Sequence, residues 1–288
     1  MGYNIVTWNM QGSGEKLAQQ LNFILLNCFD SDLINIFCLQ EFGSPAALDQ
    51  LVALTKNSKH LVAHSLTYNK NQSLSEIFIN YKLNDCEYEF KLIVAWYNAA
   101  KNMRCGTAIM YELTGETATA QTYIEHESIG FRPVVSLYSD NICVHSVHAI
   151  ANQSQSVTQV RNFCEELSKN AIWNDKPIII GGDFNQTPES AHRLGNAAGN
   201  NILEYPLTLS NSNSGEAYII RSNTETQGPN GTRVTELDFF IVNRNLIANL
   251  SDPATNQVNL SIYSESSVLT EDGKTYRYSD HDPVILKF

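Results

Sequence analysis

An apolar run, Pro177-Ile-Ile-Ile-Gly-Gly182, constrains the fold of this chain more than any other segment. A run of this length predicts a buried strand, and its two glycines let the backbone turn tightly where the strand ends. Asp183 and Asn185 follow directly, so a carboxylate and a carboxamide project from the end of the strand. Open sheets usually bind their ligands at such strand ends, and we therefore expect a polar functional site there.

Similar apolar runs recur along the chain and alternate with helical patterns. Strands are predicted over residues 4–8, 34–40, 92–96, 107–111, 133–138, 142–147, 177–180, 237–242 and 284–288. Helices are predicted over 15–27, 45–54 and 154–169. The polar, irregular stretch 56–89 receives no assignment, whereas 211–236 and 252–278, rich in Asn, Ser, Thr and Gly, are predicted to be long surface loops. This order of elements favours two packed sheets flanked by helices, in one domain over residues 1–288.

The composition bounds the class of protein. The chain has 288 residues, 43% of them hydrophobic, which is enough for a large core. No apolar run approaches the length of a membrane span, so a soluble protein without stable membrane insertion is predicted. The formal charge of −11 is unlike that of proteins whose affinity for nucleic acid comes mainly from counterion release. Binding of nucleic acid is not excluded, but any positively charged surface must then be local. The excess of acidic side chains has two interpretations: they keep the domain soluble, or they gather at a cation site.

Six cysteines are spread singly, at positions 28, 38, 86, 105, 143 and 164. None forms a CxxC pair, so a zinc cluster is not predicted. Those at 38, 105 and 143 lie in or beside apolar strand-like runs, which is typical of buried free thiols. One or two disulfides are the alternative if the protein is secreted.

Polar residues stand at the ends of many of the predicted strands. They are Asn9, Glu41, Arg104, His148, Asp183, Asn185, Asp238, Asp280 and His281. A polar residue at a strand end is usually a cap or a turn former, and each of them alone has that explanation. As a set they are the residue types that metal-assisted hydrolysis of a phosphate ester requires. Metal and imidazolium neutralise phosphate charge, and a carboxylate prepares the attacking water.

Seven motifs carry a resemblance that spans almost the whole chain, from residue 4 to residue 284. They are Thr7-Trp-Asn-Met-Gln-Gly-Ser13, Leu39-Gln-Glu41, Phe131-Arg-Pro133, Val147-His-Ala149, Gly182-Asp-Phe-Asn185, Glu236-Leu-Asp238 and Ser279-Asp-His281. In this order they resemble the endonuclease/exonuclease/phosphatase superfamily, which includes deoxyribonuclease I, and within it they are most similar to the B subunits of cytolethal distending toxins. The resemblance implies a four-layer α/β/β/α sandwich of two mostly antiparallel sheets.

The resemblance also implies a metal site. Glu41, with Asn9 nearby, would hold a hard divalent cation, and Asp280 would be a further ligand. Mg²⁺ is the expected ion because it prefers oxygen ligands and retains several waters, although Mn²⁺ and Ca²⁺ suit the same ligands.

The remaining roles follow from the same resemblance. Asp183 would orient or deprotonate the attacking water, and Asn185 would hydrogen-bond a phosphate oxygen. His281, oriented by Asp238, would stabilise the charge of the transition state, while His148 would assist from the opposite side as a hydrogen-bond donor or acid. Two arginines would contact the phosphates that flank the cleaved bond, a task suited to a planar cation with several donors. They are Arg104 and Arg132.

Some features stay open at this point. In the related enzymes a carboxylate orients the histidine that matches His148, and Glu76, Glu87 and Glu89 are all candidates for it. DNA is the expected substrate, a phosphoinositide phosphatase on the same site is the first alternative, and a catalytically silent binding module is the second. The resemblance implies a secreted bacterial toxin subunit whose leader is absent from this chain. It would be delivered by partner subunits and would act inside host cells, in the nucleus.

Overall fold

The computed structural model describes residues 2–12, 16–69, 73–96, 106–125, 132–151, 153–169, 171–187, 203–208, 216–220, 237–250, 261–265, 268–271 and 274–288. Its strands are β1 Tyr3–Asn9, β2 Ile34–Gln40, β3 Leu61–Asn69, β4 Leu74–Leu83, β5 Cys86–Ala95, β6 Thr107–Glu112, β7 Gln121–Glu125, β8 Val134–Tyr138, β9 Cys143–His148, β10 Ile178–Asp183, β11 Leu203–Thr208, β12 Glu216–Ile220, β13 Asp238–Asn243, β14 Ser261–Ser264, β15 Val268–Glu271, β16 Lys274–Arg277 and β17 Val284–Lys287. Its helices are α1 Leu17–Asn27, α2 Pro45–Thr55, α3 Gln153–Ser168, α4 Ile172–Asp175 and α5 Arg244–Leu250.

Two large sheets carry the fold. One has eight strands in the order β14-β17-β1-β2-β6-β5-β4-β3, and the other has seven in the order β11-β12-β13-β10-β9-β8-β7. Within these sheets β1 pairs with β2, and β9 with β10, in parallel; the other pairings are antiparallel. The predicted pair of mostly antiparallel sheets is confirmed.

Three apolar clusters fill the spaces between four layers. Helices α1 and α2 pack their inward residues, such as Leu21 and Leu48, on the outer face of the eight-stranded sheet. Helix α3 covers the outer face of the seven-stranded sheet with Val160, Phe163 and Leu167. The third cluster lies between the sheets and contains β-branched and aromatic side chains of both. This is the α/β/β/α sandwich that the sequence predicts.

Strands occur in three stretches where none is predicted, so the prediction of long loops over 211–236 and 252–278 is wrong where the structure describes them. The unassigned stretch 56–89 contains β3, β4 and the start of β5, and the predicted loops contain β12, β14, β15 and β16. The burial of β4 alternates between buried and partly exposed residues along most of the strand, and polar residues lie on both faces, so the average composition conceals its period of two. The strands in the loops have only four or five residues, and pairing with their neighbours rather than intrinsic pattern stabilises them.

The glycine pair of β10 serves packing rather than a turn, because both glycines lie inside the strand. A Cβ on Gly182 would stand 2.1 Å from the carbonyl oxygen of Val147 on β9. A Cβ on Gly181 would stand 2.9 Å from the Phe240 ring and 3.3 Å from Cβ of Thr7 in the other sheet. A side chain at position 181 would push the two sheets apart, and one at position 182 would push β10 away from β9, directly below Asp183.

The cysteines that the structure describes carry free thiols. Cys28, Cys38, Cys143 and Cys164 are buried and Cys86 is exposed. The prediction of buried free thiols at Cys38 and Cys143 is confirmed, and Cys105 lies outside the described residues.

The topology brings the sequence motifs to one edge, which we call the mouth. β1 and β2 end there at Asn9 and Gln40, and β9 and β10 end there at His148 and Asp183. Asp238, the first residue of β13, pairs with Asp183. Among the described helices, none is long and apolar enough to cross a membrane.

Candidate active site

One side of the mouth is a buried histidine–carboxylate pair. The Nδ1 atom of His281 lies 2.7 Å from Oδ2 of Asp238, and both side chains are almost fully buried. Burial alone would lower the pKa of His281, but the Asp238 carboxylate, aided by Asp183 and Asp280, raises it to about 10. His281 is therefore an imidazolium at neutral pH, held in one orientation by Asp238 as expected.

Asp183 stands at the centre of the mouth. Its Oδ2 accepts a hydrogen bond of 2.8 Å from the Asn9 amide, and its Oδ1 accepts one of 2.8 Å from the backbone N–H of Asn185. Burial, followed by repulsion from Asp238, raises the pKa of this carboxylate. A carboxylate with a raised pKa binds a proton more readily than an exposed one, which suits it to act as a base.

Asn185 is held by the loop that follows β9. Its Nδ2 donates to the carbonyl oxygen of Ala149 at 2.8 Å, and the Ala149 N–H donates to the carbonyl oxygen of Asp183 at 2.9 Å. The second N–H of the Asn185 amide is left for a substrate oxygen.

Glu41 lies across the mouth from β10. Its carboxylate is 26% exposed, and Oε1 stands 3.8 Å from Nε2 of His148. Burial, followed by the charge of Asp183, raises the pKa of Glu41, while the Asn9 amide and the Arg132 charge act in the opposite direction. Two carboxylates facing one space in this way favour a bound cation between them.

His148 is buried, and its environment is unlike that of His281. Its Nε2 contacts an Nη1 of Arg132 and stands 3.7 Å from Oδ2 of Asp183. Burial, followed by the positive charges of Arg132 and His281, holds its pKa well below the ordinary value. His148 is therefore a neutral imidazole at physiological pH.

Comparison with known proteins agrees with this geometry. Residues 6–281 match the model of the Endonuclease/Exonuclease/phosphatase family. The chain belongs to that family. Its members are phosphodiester hydrolases, and they generally use divalent metal ions.

Solved structures share the fold of this family member. The Haemophilus ducreyi cytolethal distending toxin matches with a TM-score of 0.59 and 16% identity, over 99% of this chain and 97% of the other. The Actinobacillus actinomycetemcomitans toxin of the same kind gives 0.60 and 16%, with the same coverage. At this identity the likeness concerns the fold. A search of curated proteins finds no match.

Among the residues that the structure describes, the only carboxylates near His148 are those of Glu41 and Asp183, 3.8 and 3.7 Å from Nε2, and none of the three expected glutamates hydrogen-bonds the ring. The Nδ1 atom of His148 is buried without a hydrogen-bond partner there. Glu76 forms an ion pair of 3.1 Å with Lys91 instead. Glu87 and Glu89 are exposed and pair with the part of β4 that lies away from the mouth. Arg132 contacts the other ring nitrogen, Nε2, and Arg104 lies outside the described residues.

The oxygen atoms at the mouth fit a hard divalent cation. Glu41 and Asp280 offer carboxylates, and the buried Oδ1 of Asp280 has no hydrogen-bond partner within the described part of the chain. Asn9 offers an amide oxygen, which also accepts the backbone N–H of Gln11 at 3.2 Å. The described residues contain no group of three or more His, Cys, Asp or Glu side chains arranged as a metal site. An ion that takes few protein ligands and keeps its waters, as Mg²⁺ does, suits this donor set.

Three residues that the sequence analysis did not single out join the mouth loops. Trp8 donates its indole N–H to the carbonyl oxygen of His281 at 2.8 Å, and Ser279 donates its hydroxyl to the carbonyl oxygen of Asn9 at 2.7 Å. The buried amide of Gln20, on α1, donates to the carbonyl oxygens of Met10 and Tyr278. A signal for Gln20 exists in the sequence, because it falls on the same helical face as Leu17, Leu21 and Ile24.

The backbone of the mouth is strained at three residues. Gln11, Glu41 and Asn185 have φ angles of 46°, 50° and 51°. These values lie in the left-handed region of the backbone, which residues other than glycine rarely adopt. Such strain persists only where the surrounding contacts fix the conformation, and it is commonly found at functional sites. Here it turns Glu41 and Asn185 at the ends of their strands.

Proposed function

We propose that the chain is a divalent-metal-dependent phosphodiesterase that cleaves DNA as the active subunit of a secreted bacterial toxin. The observation that carries the proposal is the meeting of Asp183 with the His281–Asp238 pair where the two sheets end. A base and a fixed cation in one buried space are what attack of water on a phosphodiester requires.

Asp183 prepares the nucleophile. A water molecule beside its carboxylate gives up a proton to Asp183 as its oxygen attacks phosphorus, and the raised pKa of Asp183 favours that transfer. The bond between phosphorus and the leaving ester oxygen breaks in this displacement, and the leaving oxygen takes up a proton from solvent. The Asn9 amide and the Asn185 N–H hold the carboxylate in place during the step.

His281 neutralises the developing negative charge. The imidazolium is preorganised because Asp238 binds its Nδ1, which leaves Nε2–H for a phosphate oxygen. The Asn185 amide is placed to hydrogen-bond a second phosphate oxygen. Removing one such donor typically lowers the rate by about 10²–10³-fold.

Glu41, Asn9 and Asp280 are the residues that would hold the metal. A bound Mg²⁺, or Mn²⁺ or Ca²⁺ in its place, supplies positive charge that polarises the phosphate and offsets charge on the reacting oxygens. We assign His148 a neutral, hydrogen-bonding role beside the phosphate, because burial and Arg132 disfavour its charged form.

DNA and a toxin role are supported by the family and by the fold that the chain shares with cytolethal distending toxin structures. Under this proposal the protein is secreted, is delivered by partner subunits and acts on DNA in the host nucleus. The formal charge of −11 means that DNA is contacted through a local set of cations and the bound metal.

Nicking of supercoiled plasmid tests the proposal. We expect Mg²⁺-dependent nicking by the wild type that EDTA removes and that His281→Ala lowers by about 10²–10³-fold. Lys169→Ala, a change at an exposed surface position, is the matched control and is expected to nick like the wild type.

If no nicking is observed, further measurements would separate the alternative functions. Folded protein that binds Mg²⁺ but does not nick DNA would overturn DNA as the substrate. Release of phosphate from a soluble inositol phosphate headgroup by that same protein would favour the phosphoinositide phosphatase instead. Absence of both activities would favour the silent binding module.

A further inference from the structure

The position of Arg132 points to a role that differs from that of a flanking phosphate contact. One nitrogen of its guanidinium, Nη1, contacts Nε2 of His148 and donates to the carbonyl oxygen of Ala149 at 3.2 Å. The side chain is only partly exposed, and its charge acts on both Glu41 and His148. Arg132 therefore lies inside the mouth and not on the surface beside it.

The Ala149 peptide joins Arg132 to the rest of the catalytic centre. Its carbonyl oxygen accepts from Arg132 and from Asn185, at 3.2 and 2.8 Å. Its N–H donates to the carbonyl oxygen of Asp183, the residue directly opposite His148 in the β9–β10 register. A shift of the guanidinium would therefore change the positions of Asp183, which prepares the nucleophile, and of Asn185, which binds the phosphate.

The contact with His148 also fixes the tautomer of that histidine. A guanidinium only donates hydrogen bonds, so Nε2 of His148 must accept and its proton must lie on Nδ1. In the described part of the chain, Nδ1 has no carboxylate or other partner that could set the tautomer instead. Both N–H groups of Nη1 are occupied by His148 and Ala149. No residue in the described part of the chain binds the donors on Nε and Nη2, which can therefore reach a substrate oxygen.

We propose that Arg132 is a positioning residue of the catalytic centre: it orients His148 and offers its remaining donors to the phosphate that is cleaved. The kinetic test of this inference rests on the proposed phosphodiesterase function. The structural test uses the metal-free protein and does not depend on activity.

The kinetic test compares two substrates. Supercoiled plasmid has flanking phosphates, and bis(p-nitrophenyl) phosphate has none. Arg132→Gln is expected to lower kcat on both substrates by about 10²-fold, with KM little changed and with the slope of log rate against log salt unaltered. Arg244→Gln, the same change at an exposed arginine at the start of α5, is the control.

If Arg132 instead contacted a phosphate that flanks the cleaved bond, the kinetic results would differ. Plasmid nicking would fall, the salt slope would decrease by about 0.9, and hydrolysis of bis(p-nitrophenyl) phosphate would remain at the wild-type rate. That pattern would overturn the inference. Arg132→Lys keeps the charge without the planar fork, and we expect it to recover only a small part of the kcat that Arg132→Gln loses.

The structural test needs no activity. Long-range proton–nitrogen spectra of the metal-free protein with ¹⁵N-labelled histidine should show His148 protonated on Nδ1 in the wild type. Arg132→Gln should move the proton to Nε2, the tautomer that free histidine prefers. An identical tautomer in both proteins would refute the positioning role. If the wild type cleaves neither substrate, the proposed function fails, and these spectra still decide the role of Arg132.

Discussion

The two histidines of the mouth share one small space and have opposite surroundings. His281 has a carboxylate of Asp238 at 2.7 Å, and its pKa is raised to about 10. His148 is equally buried, has an arginine as its neighbour, and its pKa lies well below the ordinary value. Burial disfavours the charged form of both rings, so the sign of the nearest charge decides which of them is an imidazolium. One site thereby obtains a fixed cation and a neutral hydrogen-bonding ring from the same residue type.

Asp183→Asn should have the largest effect, because this carboxylate faces both histidines. We expect the rate of diester hydrolysis to fall by about 10²–10⁴-fold through loss of the base. The free energy of unfolding at neutral pH should not decrease, since the carboxylate that is removed is buried beside Asp238 and has a raised pKa. Steady-state rates and urea unfolding measure the two effects. A variant that loses stability but keeps its activity would contradict the role of Asp183.

Asp238→Asn should erase the difference between the histidines. Without the carboxylate, burial dominates at His281 and its pKa should fall below the ordinary value. We expect the rate at pH 7.5 to fall by about 10²–10³-fold, as for the loss of a preorganised cation. Asp140→Asn, at an exposed position, is the control. Wild-type rates in Asp238→Asn would show that the charge of His281 is not used.

His148→Asn should cost less than either change. A neutral ring contributes one hydrogen bond rather than a charge, so we expect a loss of about tenfold in rate. Comparison of initial rates for His148→Asn and His281→Asn measures the difference. A larger loss for His148→Asn would mean that His148 acts as a charged acid in the reaction.

The pH dependence of stability should separate the two rings as well. The folded-state pKa of His281 is raised, so its contribution is fully present below pH 6.5 and is lost as the pH rises to about 10. The folded-state pKa of His148 is lowered, so its contribution is present above pH 6.5 and is lost as the pH falls below that value. Each effect has a limit of about 1.4 kcal/mol per pH unit.

Urea unfolding in EDTA between pH 4.5 and pH 10 measures both effects. His281→Asn should flatten the alkaline side of the stability curve, and His148→Asn should flatten the acidic side. Flattening of the same side by both substitutions would contradict the assignment of opposite charge states.

Much of the site could be predicted from sequence because its residues follow strong apolar strands. The run that ends at Gly182 identifies β10, and its end places Asp183 and Asn185 at the mouth. The contact of Asp238 with His281 was expected from the family resemblance and is present in the fold. The family and its sandwich fold are confirmed.

The remaining features depend on contacts that no local pattern encodes. Four of the ten residues in β4 are polar, and its hydrogen bonds to β3 and β5 make it a strand. The family resemblance implies that Arg132 contacts a phosphate beside the cleaved bond, and only the packing of β8 next to β9 brings it to His148. The helical pattern indicates that Gln20 faces inward, but only the fold shows that its amide joins two loops that are far apart in sequence.

The division of charge between the histidines is the central claim of this account, and side-chain nitrogen spectra of the wild-type protein test it most directly. At pH 7.5 we expect two protonated ring nitrogens for His281 and one for His148. Assignment through His281→Asn and His148→Asn identifies each signal. A neutral His281, or a doubly protonated His148, would contradict the account.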